Sequence, residues 1–221
     1  MFVTPTTIPA GTTRGFIVLD GVNGAGKSTA QESISNWLRS RHKSTILTRE
    51  PGATNLGKSI RSLVLEKRDE PISHMSELML FGADRAEHVN KVILPALARS
   101  EWVICDRYFY SSIAFQGHGR GLPLDKINQV NALATGGVLP DIVLLFDLDP
   151  VIGLARAKGR GDVAKDSFEA EELAFHKRVR EGFLKIAQER QEPFALIDAS
   201  ASPAEVLGQC VSFLEVLLKR L

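Results

Sequence analysis

The sequence predicts an α/β fold: three layers, with a five-stranded parallel sheet flanked by helices. Three observations carry this prediction. Short, continuously apolar runs recur along the chain, and longer segments of helical periodicity separate them. A glycine-rich stretch, DGVNGAGKST at 20–29, joins the first apolar run to the first helical one. Strands separated by helices pair in parallel through right-handed crossovers. A strand covered on both faces is apolar throughout rather than alternating.

FIVLD (16–20) is the first strand, and a helical pattern follows from Lys27 to about Arg41. STILT (44–48) is the second, with helical segments at about 54–67 and 73–98 after it. WVICD (102–106), DIVLLFD (141–147) and PFALID (193–198) are the third, fourth and fifth. Ser202 and Pro203 form an N-cap and first-turn pair that opens a last helix to about Leu218. One segment differs: ARAKGRGDVAKDS, within a region of about 155–168, is charged and glycine-containing and lies between two helical patterns. It reads as a mobile basic lid. The Thr- and Pro-rich residues 1–14 read as a flexible arm, and 15–221 as a single domain. There is no internal repeat and no low-complexity linker.

Composition narrows the function. With 221 residues the chain is long enough for one domain with a sizeable core. Its net charge of +1 excludes a dedicated nucleic-acid binder, so any basic site is local. The N-terminus lacks a charged region followed by an apolar one, and no apolar stretch reaches the ~18 residues of a membrane span. Cys105 and Cys210 are the only cysteines and form no CxxC pair, which reads as buried thiols in a reducing compartment. The five histidines show no metal-ligand spacing. Together these predict a cytoplasmic protein with no membrane and no nucleic-acid partner.

Gly21, Gly26, Lys27 and Ser28 satisfy G-x-x-x-x-G-K-[ST], after a strand and opening a helix, the context that distinguishes a P-loop from a chance glycine-rich turn. Glycines let successive backbone N–H groups turn inward around phosphates, and the helix adds its partial positive end. Lys27 brings a point charge to the β and γ phosphates, and Ser28 is a Mg²⁺ ligand candidate. The motif says only that a nucleoside triphosphate binds.

Four further motifs suggest a second site, each with a plainer reading beside it. In TREPGAT (48–54), Arg49 at a strand's carboxyl end is placed to clamp a phosphate, or is a surface arginine in a turn. In LMLFGADRAEH (78–88), Phe81 and Arg85 are four apart and share a helix face, so they can stack a base and bond its edge. They are otherwise a core phenylalanine beside a salt-bridged arginine. In CDRYFYSSIAFQGHGR (105–120), Asp106 stands where a P-loop enzyme keeps an acidic group near Mg²⁺, or is a helix N-cap. Arg107 can hold phosphate, and Ser111, Ser112 and Gln116 offer polar contacts. The lid's Arg156, Lys158, Arg160 and Lys165 can stabilise the charge of a moving phosphoryl group and exclude water, or are solvated.

In this order and spacing, DGVNGAGKST, TREPGAT, FGADRAEH, DRYFYSSIAFQGHGR, PDIVLLFDLDP and FHKRVREGFLKIA resemble the thymidylate kinase family, from about Gly15 to the end. The pair TREPG and DRYxxSSxAFQG is specific within the nucleoside monophosphate kinases. The resemblance implies the P-loop kinase fold with a short lid, and the reaction ATP + dTMP → ADP + dTDP with Mg²⁺. It implies that the loop from Gly21 through Val22, Asn23, Gly24, Ala25, Gly26, Lys27 and Ser28 to Thr29 binds ATP, with Arg156 against the adenine. Catalytic roles fall on Lys27, Arg49, Asp106, Arg107 and Arg160, and Mg²⁺ on Ser28 and Asp106. For dTMP, Arg49 and Arg107 match phosphate positions, Phe81 stacks on thymine and Arg85 bonds its carbonyl edge. Ser112 and Gln116 complete base recognition, Phe115 crowds the 2′ side of the sugar, and Asn23, Pro51 and Phe168 also match positions lining the site. Glu50–Pro51 matches a bond that tends to be cis. The resemblance also implies a homodimer formed by helix packing, which apolar positions in 78–97 permit.

Three departures stand out. Asn23 replaces an acidic residue near the sugar 3′-hydroxyl, Ser167 replaces a lid arginine, and Ala53 replaces a second glycine. Gly24 stands where another type of the family places arginine, so the lid supplies the catalytic cation. No general base is needed, because the acceptor is already an anion. A kinase for another nucleoside monophosphate, a catalytically silent nucleotide-binding regulator and a P-loop switch are the competing readings.

Overall fold

A computed structural model of the chain describes residues 15–66, 69–159, 167–190 and 192–220. Five strands, β1 (Phe16–Gly21), β2 (Thr45–Arg49), β3 (Trp102–Asp106), β4 (Ile142–Asp147) and β5 (Phe194–Asp198), form one parallel sheet in the order β2-β3-β1-β4-β5. The crossovers from β1 and β3 leave in opposite directions, so the order reverses beside β1. That is where open α/β sheets bind ligands, outside the carboxyl ends of the strands.

The period of two along each strand divides the core in half. Phe16, Val18, Val103, Cys105, Val143 and Leu145 face one side; Ile17, Leu19, Ile104, Leu144 and Phe146 face the other. On the second side pack α1 (Lys27–Arg39), through Ala30, Ile34 and Leu38, and α9 (Pro203–Arg220), through Val206, Cys210 and Leu214. On the first pack α3 (His74–His88), α4 (Leu94–Ala98), α5 (Phe109–Ser112), α6 (Leu124–Thr135) and α8 (Leu173–Glu189). Both cysteines are buried and free. The Asp141 carboxylate accepts the N–H groups of Gly15 and Phe16 at 2.6 and 2.8 Å, joining the start of β1 to that of β4.

Helix starts follow the sequence. Thr54 Oγ1 accepts the Gly57 N–H at 2.9 Å and opens α2 (Asn55–Leu65). Ser202 and Glu205 form a reciprocal cap at α9, with Glu205 accepting the Ser202 N–H at 2.9 Å. Asp149 accepts the Val151 N–H at 2.8 Å and opens α7 (Pro150–Lys158). Residues 155–158, expected in the lid, are thus the last turn of a helix: the Asp-Pro start sets a helix that runs until its apolar face ends. Arg160 and Lys165, like the N-terminal arm, lie outside the described residues.

Two departures from regular helix shape the site. The segment expected as one helix over 73–98 contains a wide π-helical turn, Val89–Ile93, just before Pro95. Proline has no N–H to give and its ring crowds the carbonyl four residues back, so the helix widens there rather than breaking. A second π-helical turn, Ile113–Gly119, continues α5 and carries Phe115 and Gln116. Among the described residues no helix is long and apolar enough to cross a membrane.

Candidate active site

A cleft of about 250 Å³ opens at the carboxyl ends of β1 and β3. Its floor is the loop from Asn23 to Thr29. Gly24 has φ +75°, and a Cβ there would lie 2.0 Å from the Gly153 carbonyl oxygen of α7. Any side chain at 24 would push the loop off α7, so an arginine there is excluded sterically. Lys27 Nζ donates to the carbonyls of Val22 at 2.9 Å and Gly21 at 3.3 Å, curling back over the loop. Gly21 and Val22 are buried beneath it and do not line the cleft.

Ser28 Oγ donates to Asp106 Oδ2 at 3.2 Å, while Asp106 Oδ1 is buried without a hydrogen-bond partner. A hydroxyl and an unsatisfied carboxylate oxygen side by side suit a hard cation that takes its other ligands from phosphate and water. Among the described residues no group of three His, Cys, Asp or Glu side chains could hold a metal alone. Asp106 is no helix cap; α5 begins three residues later.

Arg107 sits in left-handed backbone, φ +73°. Its N–H donates to the Leu19 carbonyl at 2.8 Å and its own carbonyl accepts from Cys105 Sγ at 3.0 Å, contacts that hold this conformation. The result turns the guanidinium across the P-loop, to Asn23 Oδ1 at 2.6 Å, the Gly21 carbonyl at 2.8 Å and Asp20 Oδ1 at 3.3 Å. Asp20 is fully buried, and burial pushes its carboxyl up, against the opposing pull of Arg107. Ser111 Oγ also donates to Asp20, at 2.7 Å.

The facing wall is assembled from distant segments. Phe81 (α3), Phe115 (the second π turn) and Phe168 (between α7 and α8) form an aromatic box: the Phe168 ring lies 6.0 Å from Phe81 and 5.6 Å from Phe115. Ser167 places Phe168. Its N–H donates to the Leu65 carbonyl at 2.9 Å and its Oγ to the Val64 carbonyl at 2.8 Å, satisfying carbonyls at the end of α2. Arg85 is only 2% exposed yet reaches the cleft. It donates to Glu50 at 2.8 Å, Asn131 Oδ1 at 2.8 Å and Ser112 Oγ at 3.2 Å. His88 bonds the other Glu50 oxygen at 3.0 Å. Asp84, on the same helix, accepts the Gly52 N–H at 3.0 Å; burial first and the neighbouring Glu50 second push its carboxyl up to about 6. Arg85 is salt-bridged in the core, as its plainer reading has it, and both it and Phe81 line the cleft.

The cleft therefore unites Asn23 to Thr29 with Pro51, Phe81, Arg85, Asp106 and Arg107, and with Ser112, Phe115, Gln116 and Phe168. Glu50–Pro51 is cis, and Ala53 has no positive φ. Arg49 is not brought in: it is exposed at the end of β2 and absent from the lining. Arg61 of α2 lines the cleft instead, donating to the Pro51 carbonyl at 2.9 Å. Nothing in the sequence pointed to Arg61, because its place depends on how α2 lies across the sheet. Arg156 is also outside the lining and donates to the Ala199 carbonyl after β5 at 2.8 Å. Asp20 and Glu50 were missed as well; a charged residue within or beside an apolar strand was the available signal.

The family model described as thymidylate kinase matches residues 19–209. A thymidylate kinase of Desulfovibrio desulfuricans is 45% identical over 210 residues, covering 93% of this chain and 97% of the relative. One from a Synechococcus is 48% identical over 200 residues, covering 90% and 94%. A crystal structure of thymidylate kinase from Ehrlichia chaffeensis superposes with a TM-score of 0.74 at 31% identity, over 90% of this chain and 97% of that one. The chain belongs to the thymidylate kinase family, whose members phosphorylate dTMP to dTDP.

Proposed function

We propose that the protein transfers the γ-phosphoryl group of ATP to dTMP, with the two nucleotides meeting in this cleft. The observation that carries the residue assignment is the continuity of the lining, from the P-loop through Arg107 to the aromatic box and Arg85. ATP phosphates lie along Asn23 to Thr29, where backbone N–H groups, the start of α1 and Lys27 face them. Lys27 exchanges its two carbonyl contacts for the β and γ phosphates. Thymine stacks on Phe81 beside Phe168, with Phe115 toward the sugar and Arg85 bonding the carbonyl edge of the base. Arg107 and Arg61 hold the acceptor phosphate, with Arg61 taking the place expected of Arg49. Ser28 and Asp106 hold Mg²⁺, which when bound neutralises charge on the donor phosphates.

The acceptor needs no deprotonation, so these residues act by alignment and charge neutralisation. With no side chain at Gly24, the cation at the transferring group comes from the lid, for which Arg160 is the candidate. The adenine rests near Arg156 and the segment after β5. Two copies pair through α2, α3 and α6, where Leu56, Met79 and Leu133 are exposed at 49, 54 and 86%. We assign the protein to the cytoplasm as a single P-loop kinase domain over 15–221.

ADP release with ATP and Mg²⁺, comparing dTMP, dUMP, dCMP, dGMP and AMP, tests the proposal. Turnover strongly favouring dTMP is expected. Equal or greater turnover with another acceptor would overturn the base-site assignment, and tight ATP binding without turnover would overturn the kinase reading.

A further inference from the structure

Gln116 lines the cleft and is 2% exposed. A side-chain amide is nearly symmetric in shape but not in chemistry: one end accepts hydrogen bonds and the other donates. Which end faces a base decides what base the site accepts. Here a neighbour settles the choice. Gln116 Nε2 donates to Glu77 Oε1 at 2.9 Å. A carboxylate only accepts, so turning the amide over would set its carbonyl oxygen against Glu77.

Glu77 is itself immobilised. It is 5% exposed, and Arg120 grips both of its oxygens, Nε to Oε1 at 3.4 Å and Nη2 to Oε2 at 3.3 Å. Arg120 also pairs with Glu171, and its guanidinium lies over the rings of Phe168 and Phe175 at 5.2 and 4.9 Å. With its nitrogen committed to Glu77, the amide keeps its carbonyl oxygen for the cleft. Across the same wall Arg85, held by Glu50, Ser112 and Asn131, can only donate. The base site thus presents one fixed donor beside one fixed acceptor. Thymine and uracil match that pair with O4 and N3–H. Cytosine presents the reverse, an amino group beside an unprotonated N3.

We propose that Glu77, which does not line the cleft, is a positioning residue for base specificity: by holding the Gln116 amide in one orientation it makes the site accept imide bases and reject aminopyrimidines. This rests on the reading of the cleft as the thymidylate site. Glu77→Gln keeps the shape but lets the 116 amide turn either way. Its kcat/KM preference for dTMP over dCMP is expected to fall about tenfold, since the turned amide can donate to the unprotonated N3 of dCMP and removes one of the two mismatches, while Arg85 still opposes the amino group. Its preference for dTMP over dUMP is expected to stay unchanged, since both are imides. An unchanged dTMP-to-dCMP ratio, or a parallel loss on all three acceptors, overturns the proposal. A second measurement needs no variant at position 77. In the ¹⁵N-glutamine-labelled wild-type chain, one Gln116 amide proton should be hydrogen-bonded and protected from exchange before dTMP is added. A rapidly exchanging, averaged amide overturns the proposal. Gln116→Ala separates the two levels of inference: if the KM for dTMP does not rise, the cleft reading fails, whatever Glu77 does.

Discussion

The donor and acceptor halves of this cleft are built in opposite ways. The donor half, on the function proposed above, is a single stretch, Asn23 to Thr29, whose glycines leave main-chain N–H groups to meet the phosphates. The acceptor half draws side chains from Glu50 to Phe168, across α2, α3, β3, a π-helical turn and the segment before α8. A contiguous backbone cradle needs little from the rest of the molecule beyond room, as the close approach of Gly24 to Gly153 shows. A wall of side chains needs every supporting contact. The proposed acceptor site is thus the half that is most entangled with the core, and substitutions there should disturb folding and binding together.

Arg85→Met is the strongest way to break the contrast. It leaves Glu50, 3% exposed in its side chain, without its arginine. Breaking a buried pair from one side costs about 3–5 kcal/mol, so urea unfolding should show a loss of that size along with weaker dTMP binding. Next comes Lys27→Met in the donor half. It should lower kcat on the order of 10²–10³-fold, as removal of one charge-stabilising donor does, while the unfolding midpoint and dTMP affinity hold nearly steady. A comparable fall in stability would mean that the two halves are not separable in this way.

Asp84 sharpens the comparison through pH. Its carboxyl is raised from 3.8 to about 6 in the folded chain. A raised acid binds its proton more tightly when folded, so its contribution is fully present below the unfolded value and is lost as pH rises through about 6. Asp84→Asn keeps an acceptor for the Gly52 N–H and removes that loss. It should stabilise the protein by roughly 2–3 kcal/mol at pH 8 and by nothing at pH 3.5, as read by thermal melts at both. No pH-dependent difference would show that Asp84 does not titrate there.

The smallest effect belongs to the seam between the halves. Asn23 accepts from Arg107 through Oδ1, which leaves its amide nitrogen as a donor. Asn23→Asp should lower the KM for dTMP about fivefold, the difference between a neutral and a charge-assisted hydrogen bond. An unchanged KM would show that the amide serves the sugar hydroxyl equally well.

Local signals were legible where one segment contained its own explanation. The strands begin and end within a residue of their apolar runs, and the cap at Ser202 read directly because a cap bonds within its own turn. The P-loop read directly for the same reason. Phe81, Arg85 and Gln116 were candidates from spacing and chemistry, with an ordinary structural reading open beside them, and Phe115 was reached only through resemblance. The start of the lid, the π-helical turns, the burial of Ser167 against α2 and the exchange of Arg49 for Arg61 were not legible. Each depends on where a helix lies relative to something distant in the chain.

The sequence by itself determined an α/β chain with a parallel sheet and a phosphate-binding loop after β1. These follow from hydrophobic period, glycine placement and local hydrogen bonding over a few residues. Only the tertiary structure decided the strand order, the arginines that reach the cleft and the orientation of the Gln116 amide. A side chain's direction is set by the element that carries it and the polar partners packed against it, and those partners come from residues as far apart as Glu77 and Gln116, or Asp20 and Arg107.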